Sequence, residues 1–347
     1  MKRKSLAVLI AMIVASIFLL AGFASAAPST QTYKFRLQHW QPTSSATYKL
    51  FVSDKGFPAM VERASGGRIK IETYSVGSVV PVTDQLRAVG KGVIDMAAGC
   101  GAYYAGLGNY FSLLYGIPFT LDSMEDVEIV WRDLGLLAYA RELYGKYNAY
   151  CIGWHHESPI AIFSKKQIKT LGDFKGLKIR AVGAYADFYN MLGASSLSTP
   201  GSEIYLALDR GVVDACTWGS ESAMIEIGLQ EVTKHIILPW ISGGATGDML
   251  INMDKWKALP DDLKQIMTSC MEDWANVTGS YYRYHSLLDR SMAVEKYHMT
   301  LNFLSEADII KAKKLSLQLL DKYAARNPES AKIIKIYKDY FNLKKSN

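Results

Sequence analysis

LRAVGKGVIDMA, at residues 86–97, and YLALDRGVVDAC, at residues 205–216, decide the fold of this chain. In both stretches a short helical run ends at a glycine, Gly92 or Gly211, which suits the left-handed position that closes a helix. Each glycine is followed by valine, a β-branched residue and aspartate, as expected where a strand begins. Two copies of this helix–glycine–strand unit predict two α/β lobes of related build.

The flanking segments continue the alternation of strands and helices. Strands are predicted at 34–40, 68–74, 93–97, 178–182 and 212–216, and helices at 47–64, 82–91, 184–192 and 203–210. From Asp261 to about Tyr297 the chain has no proline and one glycine, which predicts a helix of roughly 50 Å lying across both lobes. Ser305 and Asn327-Pro328 are typical starts of two further helices.

Composition limits the class of protein. The chain has 347 residues, of which 49% are hydrophobic, so it can bury a large core and is not a disordered or low-complexity chain. The formal net charge is +6, and half of it comes from Lys2, Arg3 and Lys4. The rest of the chain is too mildly basic to indicate a nucleic-acid partner.

The first 26 residues have the features of a signal peptide. The basic start is followed by an apolar run at 6–20 and by Ala24-Ser25-Ala26, the small residues that signal peptidase accepts. An uncleaved membrane anchor is the alternative, but the apolar run is shorter than the roughly 20 residues that span a bilayer. We therefore expect an exported, periplasmic protein.

The four cysteines, Cys100, Cys151, Cys216 and Cys270, are widely spaced and form no CxxC motif. This spacing excludes a zinc ribbon and a thioredoxin-like redox site. Buried thiols are expected, and disulfide pairing stays an open alternative.

A series of short motifs follows the order found in one known family. They are GG at 66–67, LRAV at 86–89, GVID at 92–95, GIPF at 116–119, DFKGLKIR at 173–180, EIYLAL at 203–208, GVVDA at 211–215 and EVTKH at 231–235. With these motifs the chain resembles the DctP-type solute receptors of tripartite ATP-independent periplasmic (TRAP) transporters. AYY at 102–104 is similar to the branch of that family that binds 2-oxo acids.

The resemblance implies an α/β, two-lobed periplasmic binding-protein fold with hinge strands and a long helix spanning both lobes. Lobe I would comprise residues 31–153 and about 243–275, lobe II residues 154–242 and about 285–340, and the long helix residues 261–297. A small organic acid would be trapped as the lobes close and then be delivered to the TRAP membrane permease subunits. The receptor would be a monomer or, as in part of the 2-oxo-acid branch, a homodimer.

Arg180 is the first candidate for contact with the ligand. It lies near the carboxyl end of the strand predicted at 178–182, and open α/β layers bind ligands beyond the carboxyl ends of their strands. Its planar guanidinium fits a carboxylate and stays charged at any relevant pH. In the resembled family the arginine of the GLKIR-type motif makes this contact, so Arg180 is expected to bind the carboxylate.

Aromatic and polar residues at other strand ends are further candidates. Trp218 follows the strand that ends at Cys216 and belongs either to the pocket wall or to the core. The matching edge of the other lobe carries five more candidates, and each of them either lines the pocket or packs in the core: Gln38, His39, Trp40, Tyr103 and Tyr104.

The resemblance leaves the role of a cation open. In the 2-oxo-acid branch the ligand chelates a cation together with glutamine, tryptophan backbone and glutamate of the protein. This chain has Ser158, after Glu157, and Ser242 near the corresponding positions. Either these residues contact the ligand directly, without a cofactor, or Glu221 and Trp218 help to hold a Na⁺ or Ca²⁺ ion.

His155 and His156 do not predict a metal site, because adjacent residues of a strand point to opposite faces. One is expected to line the cleft and the other to face solvent. The chain also has no GxSxG elbow, no P-loop and no GxGxxG turn after a strand. A periplasmic enzyme acting on a small carboxylate is therefore only the alternative to a receptor.

Overall fold

The computed structural model of the protein describes residues 31–345. From Lys34 onward the described chain forms one compact unit. The predicted signal peptide lies outside the described residues. No helix between residues 31 and 345 combines the length and the apolar character needed to cross a bilayer.

The first sheet has five strands in the order β2-β1-β3-β10-β4. Strands β1 and β3 are parallel, whereas β10 is antiparallel to both β3 and β4. The strands are β1 (Tyr33–His39), β2 (Ile69–Tyr74), β3 (Met96–Gly99), β4 (Ala149–Glu157) and β10 (Ala245–Asn252). The helices that accompany them are α1 (Ala46–Phe51), α2 (Phe57–Ala64), α3 (Gln85–Gly90), α4 (Phe111–Tyr115), α5 (Met124–Glu128) and α6 (Leu136–Gly145).

The second sheet has six strands in the order β11-β9-β5-β8-β6-β7. Strand β6 is parallel to β7 and β8, and β5 is antiparallel to β8 and β9. The strands are β5 (Ile160–Ser164), β6 (Lys178–Arg180), β7 (Ser195–Leu197), β8 (Ala215–Thr217), β9 (His235–Ser242) and β11 (Thr300–Phe303). The helices between them are α7 (Gly183–Met191), α8 (Ile204–Asp209), α9 (Glu221–Glu226) and α10 (Leu229–Val232).

The two stretches that predicted the fold have matching structures. Gly92 and Gly211 have φ angles of 72° and 71°, which confirms the left-handed positions. The aspartate after each glycine joins its strand to the neighbouring one. Asp95 Oδ2 accepts the Arg36 N–H at 2.7 Å, and Asp214 Oδ2 accepts the Lys178 N–H at 3.1 Å.

The chain crosses between the sheets at two adjacent places. Strand β4 continues into β5 through Ser158–Pro159, and β9 continues into β10 through residues 243–244. Ala245 pairs with Glu157 on one side of the crossing, and Ile160 pairs with Ser242 on the other. These two crossings are the strand connections expected of hinge strands.

The predicted long helix is α12 (Asp261–Glu295), which begins directly after Pro260. It packs against α2 and β4 beside the first sheet and against α9 beside the second. The remaining helices are α11 (Met253–Ala258), α13 (Glu306–Ala324) and α14 (Pro328–Lys345). Ser305 and Asn327 cap α13 and α14 as predicted: Ser305 Oγ accepts the Asp308 N–H at 3.1 Å, and Asn327 Oδ1 accepts the Ser330 N–H at 2.7 Å.

Three predictions of local structure are wrong. The strand predicted at 212–216 is β8, which starts at Ala215. The helix predicted at 47–64 is two helices, because the chain turns back so tightly that a Cβ on Gly56 would lie 1.8 Å from the Phe51 carbonyl oxygen. The strand predicted at 93–97 is β3, which starts at Met96. The Val93 N–H still bonds the Ala88 carbonyl at 2.9 Å, so the residues after Gly92 belong to the turn that closes α3.

The cysteines lie in the core, as expected for buried thiols. Cys100, Cys151, Cys216 and Cys270 are all buried and unpaired. Burial raises the pKa of each thiol, to about 12 for Cys216, so the thiols stay protonated at neutral pH.

Candidate ligand-binding site

The carboxyl ends of the parallel strands of both sheets border one cavity. Trp40 directly follows β1 and Cys100 directly follows β3, both in the first sheet. In the second sheet Arg180 ends β6 and Trp218 directly follows β8. All four residues line one cavity between the sheets. Such edges are where open α/β folds bind ligands.

The lining of this cavity is mostly aromatic and apolar. Its members are Trp40, Cys100, Tyr103, Tyr115, Ile160, Arg180, Val182, Tyr185, Thr217 and Trp218. The single ionic group among them is the guanidinium of Arg180. The cavity therefore combines one fixed positive charge with surfaces that exclude water.

Arg180 is 1% exposed, and its hydrogen-bond acceptors are neutral. Nη1 donates to the Thr217 carbonyl oxygen at 2.8 Å, and Nε donates to the Thr199 carbonyl oxygen at 3.0 Å. Nη2 donates to the same Thr199 oxygen and, at 3.2 Å, to the Tyr103 hydroxyl from the first-sheet side. No carboxylate among the described residues pairs with this guanidinium, so its charge is left uncompensated in the cavity wall.

Three aromatic rings surround the guanidinium. The Trp218 ring centroid lies 5.4 Å from Arg180 Cζ, within the range of a cation–π contact. Trp40 approaches Trp218 edge-on at 5.5 Å between centroids and lies 6.1 Å from Tyr103. Because these rings come from both sheets, the cavity is closed by contacts between the two halves of the chain.

Glu157 lies behind the aromatic wall and does not line the cavity. The Trp40 Nε1–H donates to Glu157 Oε1 at 3.1 Å, and His155 Nε2 lies 2.9 Å from the same oxygen. Glu157 thus orients the Trp40 ring from the hinge strand β4.

Three other sequence candidates on the first-sheet side also lie outside the lining. The side chain of Gln38 is bound to the backbone of a neighbouring loop. Its Oε1 accepts the N–H groups of Val79 and Val80, and its Nε2 donates to the Val80 carbonyl oxygen at 2.7 Å. His39 packs on Phe51 and accepts the Gln41 N–H at 3.0 Å. Burial, with His155 nearby, lowers the pKa of His39 well below its usual range. Tyr104 donates to Gln85 at 3.4 Å.

The remaining candidates from the sequence make hydrogen bonds or ion pairs with other residues beside the second sheet. Ser158 Oγ accepts the Ser220 N–H at 3.0 Å, and Ser242 Oγ donates to the Gly244 carbonyl at 2.9 Å. The Glu221 side chain is 0% exposed and pairs with Arg290 Nε at 2.7 Å. These side chains stabilise the crossing and the long helix.

The expectation that one of His155 and His156 faces solvent is wrong. Their side chains are 1% and 3% exposed, because β4 pairs with β10 in the sheet and is also covered by helix α12. His155 meets Glu157, and His156 Nε2 lies 2.8 Å from Glu128 Oε1. Across residues 31–345 no group of three or more histidine, cysteine, aspartate or glutamate side chains could hold a metal ion.

Sequence reasoning missed Tyr115, Tyr185 and Thr217 as lining residues. Thr217 precedes Trp218 at the end of β8, so its place at a strand end was a usable signal. Tyr115 and Tyr185 lie in helices α4 and α7, where an apolar pattern predicts burial but not which cavity the ring borders.

Comparison with known proteins identifies the family. The family model of the bacterial extracellular solute-binding proteins, family 7 (DctP), matches residues 39–327. A monocarboxylate 2-oxoacid-binding periplasmic protein of Nostoc sp. is 29% identical over 252 residues, which cover 69% of this chain and 66% of that protein, just under two thirds of its length.

Solved structures of TRAP solute-binding proteins share the fold. One from Bordetella bronchiseptica, a mixed-occupancy dimer with calcium and picolinate, has a TM-score of 0.83 at 22% identity over 91% of this chain and 94% of that one. One from Pseudoalteromonas atlantica, with bound sodium and pyruvate, has a TM-score of 0.82 at 22% identity over 91% and 96%. This chain belongs to the DctP family, family 7 of the bacterial extracellular solute-binding proteins.

Proposed function

We propose that the chain captures a small organic acid between its two sheets and delivers it to the permease subunits of a TRAP transporter. One observation carries the proposal: the buried Arg180 guanidinium lines the cavity and meets only neutral acceptors. A buried charge is destabilising unless it is paired, and arginine does not lose its proton. A carboxylate supplies the missing charge and matches the planar donor fork.

The ligand is a monocarboxylate, because Arg180 is the only charged side chain in the lining. A second carboxylate would be buried without a partner. The named ligands of the relatives agree, since the Nostoc protein is named for monocarboxylate 2-oxoacids and the two structures hold picolinate and pyruvate.

The lining does not fit the cation that accompanies the ligand in those two structures. Calcium and sodium prefer several oxygen ligands, usually with carboxylates among them. No carboxylate side chain lines this cavity, and Glu221, the candidate from the sequence, is held by Arg290 and Trp240. We therefore derive binding from Arg180 and its neutral neighbours alone.

The proposal includes two lobes that close on the ligand. The lobes are those expected from the sequence, residues 31–153 with about 243–275, and residues 154–242 with about 285–340. The strand crossings beside Ser158 and Gly243 would be the hinge. Helix α14 contacts α4 and α6, whereas α13 contacts α7, so the last helix would follow the first lobe in any motion.

Residues 1–26 would direct the receptor to the periplasm, where the relatives are named as residing. Members of this family bind solutes without catalysis, which decides against the enzyme considered from the sequence. Both a monomer and a homodimer are compatible with ligand capture by one chain.

The test is calorimetry after a thermal-shift screen of 2-oxo, 2-hydroxy, aromatic and dicarboxylic acids, each with and without chelator. Arg180→Ala should abolish binding of the acid that stabilises the wild-type receptor. Arg141→Ala is the matched control, because Arg141 also donates to main-chain carbonyls, of Cys151 and Ile152, but lies outside the cavity. Submicromolar binding by Arg180→Ala would contradict the proposal.

A further inference from the structure

Helix α7 places a second polar group in the wall of the cavity. Tyr185 is 1% exposed and lines the same space as Arg180. Its ring meets Tyr115 edge-on, with 5.8 Å between centroids, which fixes the ring plane. Gly116 leaves room for the hydroxyl, because a Cβ there would lie 3.2 Å from Tyr185 Oη.

The Tyr185 hydroxyl makes no hydrogen bond of normal geometry with any described residue. It interacts with the Ser242 hydroxyl, whose own proton goes to the Gly244 carbonyl oxygen at 2.9 Å. A buried hydroxyl without a full set of hydrogen bonds is destabilising. Because Tyr185 lines the same cavity as Arg180, a ligand held there would supply the hydrogen bond that this hydroxyl lacks.

We infer that Tyr185 determines specificity by hydrogen-bonding a second oxygen of the ligand, a carbonyl or hydroxyl oxygen close to the carboxylate. The inference rests on the proposed function, because Arg180 has to hold the carboxylate for Tyr185 to meet its neighbour. A phenol can donate to a carbonyl and can also accept from a hydroxyl. An acid without that oxygen would leave Tyr185 unpaired in the closed cavity, and sites of this kind reject such analogues strongly.

The experiment compares matched acids on the full mature receptor by calorimetry. One set is pyruvate, lactate and propionate, and the second is 2-oxo-3-methylbutanoate, 2-hydroxy-3-methylbutanoate and 3-methylbutanoate. The wild-type receptor should bind an oxo or hydroxy acid about tenfold or more tightly than the unsubstituted acid of the same set. Tyr185→Phe, which keeps the ring and removes only the hydroxyl, should reduce this preference to about twofold or less.

Tyr189→Phe is the matched control. Tyr189 lies one turn later in α7, is fully buried, and also has an unpartnered hydroxyl, but it stacks on Phe174 outside the cavity. Its substitution should leave the preference unchanged. If Tyr185→Phe keeps the wild-type preference, or if the wild-type receptor binds both kinds of acid equally, the inference is wrong while the carboxylate proposal stands. If the wild-type receptor binds neither these acids nor any acid of the thermal-shift screen, both are wrong.

Discussion

Arg180 and Asp248 are both buried ionisable residues, but burial affects them in different ways. Arginine does not lose its proton, and we propose a ligand carboxylate as the partner of Arg180, whereas an aspartate such as Asp248 can take up a proton. Asp248 is 0% exposed. Burial raises the pKa of Asp248 from 3.8 to about 7. Glu157 adds to the rise, and Tyr144 and His155 oppose it.

Asp248→Asn should change how stability depends on pH. In the wild type, Asp248 binds a proton in the folded state between pH 3.8 and about 7, whereas the unfolded chain has already released it. The free energy of unfolding therefore falls as pH rises through this window, by at most about 1.4 kcal/mol per pH unit from this group. Above pH 7 its contribution is constant.

Urea unfolding of both proteins at several pH values between 4 and 8 measures this effect. The wild type should lose stability relative to Asp248→Asn up to about pH 7. His39, whose pKa is lowered, acts in the opposite direction below its usual pKa but is present in both proteins. A constant difference in stability across the range would contradict the prediction.

Individual site residues differ in how far the sequence predicts them. Arg180 ends β6 and Trp218 directly follows β8. Because the ends of parallel strands meet at one edge of a sheet, their shared cavity was predictable. Gln38 also lies near a strand end, but its side-chain amide is hydrogen-bonded to the backbone of Val79 and Val80 and is not in the cavity. Contacts between segments distant in the chain have no periodic signal, which is also why Tyr185 could not be predicted.

The long helix α12 is joined to the second sheet by a buried ion pair. Arg290 Nε donates to Glu221 Oε1 of α9 at 2.7 Å, and the Trp240 Nε1–H of β9 donates to Oε2 at 3.0 Å. The Trp240 ring centroid also lies 4.7 Å from Arg290 Cζ. Glu221 is fully buried, so these partners compensate a charge that water cannot reach.

Arg290→Ala should destabilise the fold by about 3 kcal/mol, because it leaves the buried Glu221 carboxylate unpaired. The matched control is Arg283→Ala on the same helix. Arg283 lies 3.8 Å from Glu125, with side chains 70% and 71% exposed, and such surface pairs contribute less than about 1 kcal/mol. Denaturant unfolding measures both. Equal losses of unfolding free energy in the two variants would contradict a special role for Arg290. Adding Glu221→Gln to the Arg290→Ala variant removes the unpaired charge and should recover much of the lost stability.

Elements were predictable where local chemistry decides them. Helix α12 starts after Pro260 and ends within two residues of the predicted end, because nothing in its sequence breaks a helix. The segment at 47–64 also has helical character, yet Gly56 allows a tight return that only the packed structure reveals. Sequence patterns therefore do not predict the position of a turn that depends on close contact between backbone segments.

The whole molecule has its two sheets in a closed arrangement around the cavity. The Arg180–Tyr103 hydrogen bond and the Trp40–Trp218 contact join the two sides. Because Arg180 is 1% exposed, an acid cannot reach the guanidinium unless these contacts open. Because opening exposes a charge to water, we expect the open form to be favoured without ligand and a bound carboxylate to favour closure.

Small-angle X-ray scattering of the mature receptor should therefore show a smaller radius of gyration when the stabilising acid is saturating than in its absence. Arg180→Ala should give the same scattering with and without the acid, because this variant does not bind the acid and no ligand then joins the two halves. Tyr103→Phe removes one hydrogen bond to a charged group across the gap and should weaken the acid's binding by about tenfold. Identical wild-type scattering with acid that calorimetry shows to be bound would mean that the halves do not move, and that the acid reaches Arg180 by another route.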